Sequence, residues 1–277
     1  MKPPPFLYLA PTSLDEAIAA LAEHGEDAKV LAGGQSLIPL LSLRLARPTA
    51  LIDLNGVAEL SSIAMNGSTA IGAMTRHRAI ERSAEVAGRV PLLSAAVPYI
   101  GHAAIRSRGT IGGSLSHADP AAELPAVALA LDATFEVRST RGSRTITAAD
   151  FFAGYFTTSL EPDEVLVQVT FPNAAPGTGV SVQEMARRHG DFAMVAVAAS
   201  VAPDGDTRIA LINMADRPVR ATEAEAAAKA GAPMEEIVAL ATRGLEPVSD
   251  LHASAAYRRH VAGVLVRRAL SDARSSA

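Results

Sequence analysis

Val30-Leu31-Ala32-Gly33-Gly34-Gln35-Ser36-Leu37 is the stretch on which the reading of this chain turns. An apolar run ends in two glycines, followed by Gln, Ser and a second apolar run. Adjacent glycines lack Cβ atoms, so the backbone is free to turn sharply and to come close to a ligand. Successive N–H groups exposed in such a turn form a concave anion site. Gln35 and Ser36 add side-chain donors at the same point. A second stretch, Gly109-Thr110-Ile111-Gly112-Gly113-Ser114-Leu115-Ser116-His117-Ala118-Asp119-Pro120, has the same character. Two such loops are expected to converge on one diphosphate.

Working outward, the first loop sits in an α/β setting. Ser13 and Glu16 form a capping box ahead of an amphipathic helix over 14–23, with Leu14, Ala17, Ile18 and Leu21 on one face. Gly25 ends that helix, and strands are expected at 28–32 and 51–54. Asn66-Gly67 marks the turn of a hairpin over 62–73. Thr75 is expected to cap a helix running to Arg82. A buried helix over 91–100 leads through Gly101-His102 to the second loop. Pro120 and Glu123 open an apolar helix to Leu131. A second hairpin over 133–147 precedes the aromatic patch 150–156, which reads as core. A strand over 164–171 is closed by Pro172.

Asn173 to Gly179 carries two glycines and a proline and reads as a linker. Beyond it come strands over 180–184, 193–201 and 208–214, then helices over 222–229, 234–243 and 254–273. In the last helix Tyr257, Val261, Val264 and Leu265 form an apolar stripe. A sheet followed by helices makes the whole chain α+β.

The bulk numbers exclude several classes. The 277 residues are 49% hydrophobic and 19% charged, with net charge −4, which fits a globular protein rather than a disordered or nucleic-acid-binding one. There is no cysteine, so this chain holds no disulfide, thiolate nucleophile or cysteine-bound iron–sulfur cluster. The N-terminal residues show no signal-peptide pattern, no run spans a bilayer, and a cytoplasmic protein is expected. Neither glycine pair is a Walker loop or a Gly-x-Gly-x-x-Gly fingerprint. His77, His102, His117 and His189 are scattered without metal-type spacing. Asp119 and Glu123 read either as acids facing nucleotide hydroxyls or as helix N-terminal acids held by the macrodipole. Arg187-Arg188-His189-Gly190-Asp191-Phe192 reads as a polar turn before a strand.

Ala32-Gly33-Gly34-Gln35-Ser36-Leu37 together with Thr110-Ile111-Gly112-Gly113-Ser114 resembles the paired flavin motifs of the FAD-binding medium subunits of molybdenum hydroxylases, the carbon monoxide dehydrogenase, quinoline oxidoreductase and xanthine dehydrogenase family. Gly190-Asp191-Phe192-Ala193 and Ala255-Ala256-Tyr257-Arg258-Arg259 extend the resemblance along the chain. It implies a PCMH-type FAD-binding domain over 1–174, in subdomains of about 1–57 and 58–174, and a C-terminal α+β domain over 175–277. It implies FAD contacts from Val30 to Leu37, Gly101, Thr110 to Ser114, Asp119, and Glu123 at a sugar or ribityl hydroxyl. Leu166 would meet the adenine region, and Asp191 and Phe192 would form a mobile loop beside the isoalloxazine. No residue is expected to act as a catalytic acid or base, and no metal is expected here.

The resemblance also implies partners. A small subunit would carry two [2Fe–2S] clusters, a large subunit the molybdenum cofactor, in a dimer of heterotrimers. Electrons would leave through the FAD of this chain to an external acceptor. Arg258-Arg259, Arg267-Arg268 or the faces near the flavin would meet the iron–sulfur subunit. The Gly-Gly-Ser motif and Glu123 look more like relatives acting on N-heterocycles than like carbon monoxide dehydrogenases, which tend to carry Asn after the glycines and Asp at the Glu123 position. The rival readings are a free-standing flavin oxidoreductase and a cofactor-less assembly protein.

Overall fold

The computed structural model describes residues 2–276, so the outermost residues of the expected domain ranges lie outside it. The N-terminal layer is a three-stranded parallel sheet built from β1 (Leu7–Leu9), β2 (Ala28–Leu31) and β3 (Ala50–Asp53), in the order β1-β3-β2. Helix α1 (Leu14–His24) buries Leu14, Ala17, Ile18 and Leu21 against Ala28, Ala50 and Ile52. Ser13 Oγ accepts from the Glu16 amide. The Glu16 carboxylate reaches one residue further back than a capping box requires and accepts from the Thr12 amide at 2.8 Å. Gly25, at φ +53°, ends the helix. Helix α2 (Leu37–Ser42) follows the first glycine motif.

The second layer is a five-stranded antiparallel sheet of β4 (Ile63–Met65), β5 (Ser68–Gly72), β6 (Thr134–Ser139), β7 (Gly142–Thr147) and a later strand, Val165–Pro172, in its centre between β5 and β6. Asn66-Gly67 forms the expected hairpin turn, with Gly67 at φ +78°. Between the two hairpins run α3 (His77–Arg82), α4 (Ala84–Arg89), α5 (Pro91–Ala96), α6 (Ala103–Arg108), α7 (Ile111–His117) and α8 (Glu123–Ala130). After β7 come α9 (Ala148–Phe151), β8 (Phe152–Gly154), β9 (Thr157–Thr158) and the central strand itself, β10. Phe135 stacks on Phe151 at 4.2 Å between centroids, with Phe152 edge-on to both. The aromatic patch is therefore split, because Tyr155 and Phe156 point to solvent.

The third layer is antiparallel: β11 (Gly179–Met185), β12 (Val195–Val201), β13 (Thr207–Ile212) and β14 (Val219–Arg220) in that order. Helices α10 (Thr222–Lys229), α11 (Met234–Thr242) and α12 (Ala255–Ser275) complete the chain. Val195, Val197, Ile209 and Leu211 face the C-terminal helices, β12 against α12 and β13 against α10. The alternate residues Ala196, Ala198, Ala210 and Ile212 face the other way and belong to the core of the second layer. The strand period of two thus places one sheet in two cores, and the small alanines allow α8 to approach closely.

Four local expectations are corrected. Gly112-Gly113-Ser114 is the first turn of α7, not a loop, because Thr110 is its N-cap and accepts from the Gly113 amide at 3.1 Å. Thr75 does not cap α3; its hydroxyl donates to the Ser62 carbonyl. Helix α8 starts at Glu123 itself, and Pro120 lies before it with its carbonyl accepting from the Asn213 amide at 2.8 Å. On α12, Tyr257 and Val264 are 42% and 37% exposed, while Ala262, Val266, Ala269, Leu270 and Ala273 turn inward with Val261 and Leu265. The inward face was hidden by its alanines, whose small size suits a helix lying close on a sheet.

Candidate cofactor site

The first motif leaves β2 after Val30 and Leu31 and enters α2 at Leu37. Gly34 sits at φ +73°, where an L side chain is strained. Among the described residues, the amides of Gly33, Gly34, Gln35 and Ser36 donate to no protein group. Gln35 does not present its amide to the loop's open side; its Nε2 donates back to the Gly33 carbonyl at 3.0 Å and braces the turn.

The second motif spends its amides inside the protein. Ile111 donates to Thr75 O at 3.0 Å, Gly112 to Ala73 O at 2.8 Å, Gly113 to Thr110 Oγ1 and Ser114 to Thr110 O. Its glycines serve a packing need. A Cβ on Gly112 would lie 2.4 Å from Ala73 Cβ, and one on Gly113 would lie 3.2 Å from Ala32 Cβ. A Cβ on Gly33 would lie 2.4 Å from the Arg108 carbonyl oxygen and 2.7 Å from Gly109 Cα. The two motifs therefore touch backbone to backbone, and the missing Cβ atoms are what lets them do so. His77 is wedged behind this contact. It is buried, its ring nitrogens have no hydrogen-bond partner among the described residues, and burial lowers its pKa to about 4, so it is a neutral filler.

A cleft of about 370 Å³ opens on the first motif, with Ile38, Pro39, Asp53, Asn55 and Arg108 on its other walls. None of these five was singled out from the sequence. A polar strut crosses beside it. Asn55 Nδ2 donates to the Ala32 carbonyl at 3.0 Å, Arg76 Nη2 donates to Asn55 Oδ1 at 2.6 Å, and Arg76 Nη1 donates to the Arg108 carbonyl. One carbonyl belongs to the first motif and the other immediately precedes the second. The Tyr8 hydroxyl donates to Asp53 Oδ2 at 2.5 Å, so β1 is tied to the same network. The sequence signal was slight: two polar residues, Asp53 closing β3 and Asn55 just after it.

The remaining expected residues fall in two further groups. Gly101, at φ +48°, precedes His102, the N-cap of α6. Gly190 lies against the His102 ring, where a Cβ would come to 2.5 Å of it, so the turn that carries Asp191 and Phe192 is seated on the residue that follows Gly101. Asp191 faces Arg188 at 3.7 Å and Phe192 is 68% exposed. Asn213 joins this turn to the second motif's exit, donating from Nδ2 to Ala193 O at 2.7 Å and from its amide to Pro120 O.

The second group is acidic. Glu123 opens α8 with 7% exposure, and burial raises its pKa to about 8, helped by the nearby charges of Glu184 and Asp119. Burial also raises Glu184, on β11, to about 7, and its Oε2 has no partner among the described residues. Asp119 has a local task, since Oδ1 accepts from the Ala121 amide at 2.9 Å and holds the turn before α8. Leu166 is 5% exposed in the core, beside a bulge in β10, and does not line the first-motif cleft.

Arg258 corrects an expectation about partners. It is 2% exposed, and its guanidinium donates to Met194 O and, at 2.6 Å, to Asp250 Oδ2. It is an internal tie between α12 and the residue before β12. Arg267 remains on the surface, 2.9 Å from Glu235.

The residues present suit a diphosphate-bearing group: free amides in a glycine turn, an arginine beside them, and apolar walls. Among the described residues no helix is long and apolar enough to cross a membrane. A family model described as the FAD binding domain in molybdopterin dehydrogenase matches residues 4–174, and one described as the CO dehydrogenase flavoprotein C-terminal domain matches residues 181–273. The chain is 41% identical to the 6-hydroxypseudooxynicotine dehydrogenase complex subunit alpha of Paenarthrobacter nicotinovorans, over 99% of this chain and 96% of that protein. It superposes on carbon monoxide dehydrogenase of Hydrogenophaga pseudoflava with TM-score 0.95 and 40% identity, covering 100% of this chain and 99% of that one. It superposes on quinoline 2-oxidoreductase of Pseudomonas putida 86 with TM-score 0.91 and 39% identity, again over 100% and 99%. Fold, motifs and whole-length similarity agree, and the chain belongs to the family of FAD-binding medium subunits of molybdenum hydroxylases.

Proposed function

We propose that this chain is the electron-exit subunit of a heteromeric molybdenum hydroxylase, carrying FAD between a [2Fe–2S] subunit and an external acceptor. Bound FAD supplies the electron exchange, and the protein supplies binding, orientation and tuning. The observation that carries the reading is the run of unpaired amides from Gly33 to Ser36 in a turn held open by a left-handed glycine. Those amides suit a diphosphate. Thr110 to Ser114 form the platform on which the first motif rests. Glu123 and Leu166 are assigned to the ribityl and adenine ends, and Asp191 and Phe192 to the ring end beside Gly101. Glu123, held neutral at pH 7 by burial, would donate as well as accept a hydrogen bond.

The complex is proposed as a dimer of heterotrimers with an iron–sulfur and a molybdenum subunit, and its substrate as an N-heterocycle. Two relatives named for such compounds support the substrate class. The test is purification of the native complex. The expected result is one FAD per copy of this chain, two co-purifying subunits, and flavin reduction by an N-heterocycle only when all three are present. Well-folded chain that cannot be reconstituted with FAD overturns the reading.

A further inference from the structure

Two charged groups line the first-motif cleft, Asp53 and Arg108, and a third, Arg76, stands behind them bonded to Asn55 on its wall. Asp53 is committed. It accepts from the Tyr8 hydroxyl at 2.5 Å and from the Asn55 amide at 2.9 Å. Arg76 is committed too, to Asn55 and to the Arg108 carbonyl. Arg108 is different. Its side chain is exposed, it lines the cleft, and among the described residues it makes no ion pair or side-chain hydrogen bond. The three charges sum to an excess of one positive charge at the cleft. Arg108, whose charge helps hold the Asp53 carboxyl low without a direct contact, stands beside four unpaired amides.

The strut explains why that arrangement is held. Arg76 grips the backbone carbonyl of Arg108 itself, and Asn55 grips the carbonyl of Ala32, the residue before the amide run. A 2.6 Å bond joins the two grips. The spacing between the cation's backbone and the amide turn is fixed by the direct packing of Gly33 on Arg108 and Gly109, and these two side chains brace it. Arginine beside backbone N–H groups is a strong phosphate-binding combination, since the guanidinium offers a planar fork to two oxygens.

We infer that Arg108 is the cationic half of a two-part diphosphate site whose other half is the amide run Gly33–Ser36, with Arg76 and Asn55 as the strut that braces the contact between them. The inference rests on the reading of the cleft as the FAD site. It adds a binding residue outside both glycine pairs and two positioning residues.

The test uses the full-length chain stripped of flavin and titrated with FAD, following fluorescence at several KCl concentrations. Arg108→Ala is expected to raise the Kd by about tenfold to a hundredfold, the usual worth of a hydrogen bond to a charged group. Arg108→Lys is expected to recover part of the loss. The Kd of the unmodified chain is expected to rise with salt more steeply than that of Arg108→Ala, because one ionic contact is screened. An unchanged Kd in Arg108→Ala, an equal salt dependence, or no recovery in Arg108→Lys overturns the inference. Failure of the unmodified chain to bind FAD is a separate result, which overturns the reading of the cleft itself.

Discussion

Gly33 shows how a residue's role differs from the one its type suggests. Two adjacent glycines read as room for a ligand, and the loop amides are indeed open. Yet the Cβ that Gly33 lacks would strike the backbone of Arg108 and Gly109. Gly33→Val would force the two motifs apart, with a stability cost of about 1–3 kcal/mol for overpacking, and would open the amide turn. The expected outcome is folded chain with less than stoichiometric flavin, read from the flavin-to-protein absorbance ratio. Glu123 makes a prediction of another kind. Its folded pKa of about 8 lies above the ordinary 4.5. The flavin-free folded chain therefore retains a proton that the unfolded chain releases. The stability associated with that proton is full below about 4.5 and is lost as pH rises through about 8. Glu123→Gln should flatten this decline, leaving the variant more stable than the parent at the alkaline end and similar at the acid end. Glu184, shifted in the same direction, keeps part of the slope in the variant. Melting temperature against pH checks it.

At the scale of elements, capping and turn chemistry were legible and long-range ties were not. Ser13 capping α1 and Asn66-Gly67 turning the first hairpin depend on neighbours within three residues, so the sequence displays them directly. The Asn55–Arg76 bond joins residues 21 apart, and nothing in either segment announces the other. Gly112-Gly113 was misread for the same reason. Glycine disfavours a helix by about 1 kcal/mol per residue, and here the Thr110 cap and the contact with Ala73 outweigh that preference. Arg258 lies in a segment that reads as a charged helix face, but it enters the interior to meet Met194 and Asp250. Arg258→Ala should cost about 2–4 kcal/mol, from a cavity and an unsatisfied carbonyl. Chemical denaturation measures this. Arg259→Ala, whose side chain is exposed, is the matched control.

For the whole molecule, the important fact is the shared sheet. Strand β12 is buried from Val195 to Ser200, half against α12 and half against the second layer. The C-terminal segment therefore completes a core as well as forming one. Residues 2–174 expressed alone should expose the faces of α5 and α8 that β11 to β13 cover, and should aggregate or lack fixed near-ultraviolet circular dichroism. The full chain should unfold these two layers in one calorimetric transition. Two independent transitions, or a monodisperse, rigid 2–174 fragment, would contradict this.

What the sequence by itself determined was local and periodic. Strand and helix periods, the glycine turn, the hairpins and the absence of cysteine all follow from short-range sterics and composition. So does the family, because its two glycine motifs survive as short contiguous strings. What only the tertiary structure decided was which of those groups remain available. It spent the amides of Ile111 to Ser114 on protein acceptors, three carbonyls and the Thr110 hydroxyl, turned Gln35 inward, buried Arg258, and left Arg108 exposed beside the Gly33–Ser36 amides. The physical reason is that a hydrogen-bonding group becomes a ligand site only when no neighbour in space satisfies it, and neighbours in space are not written in sequence order.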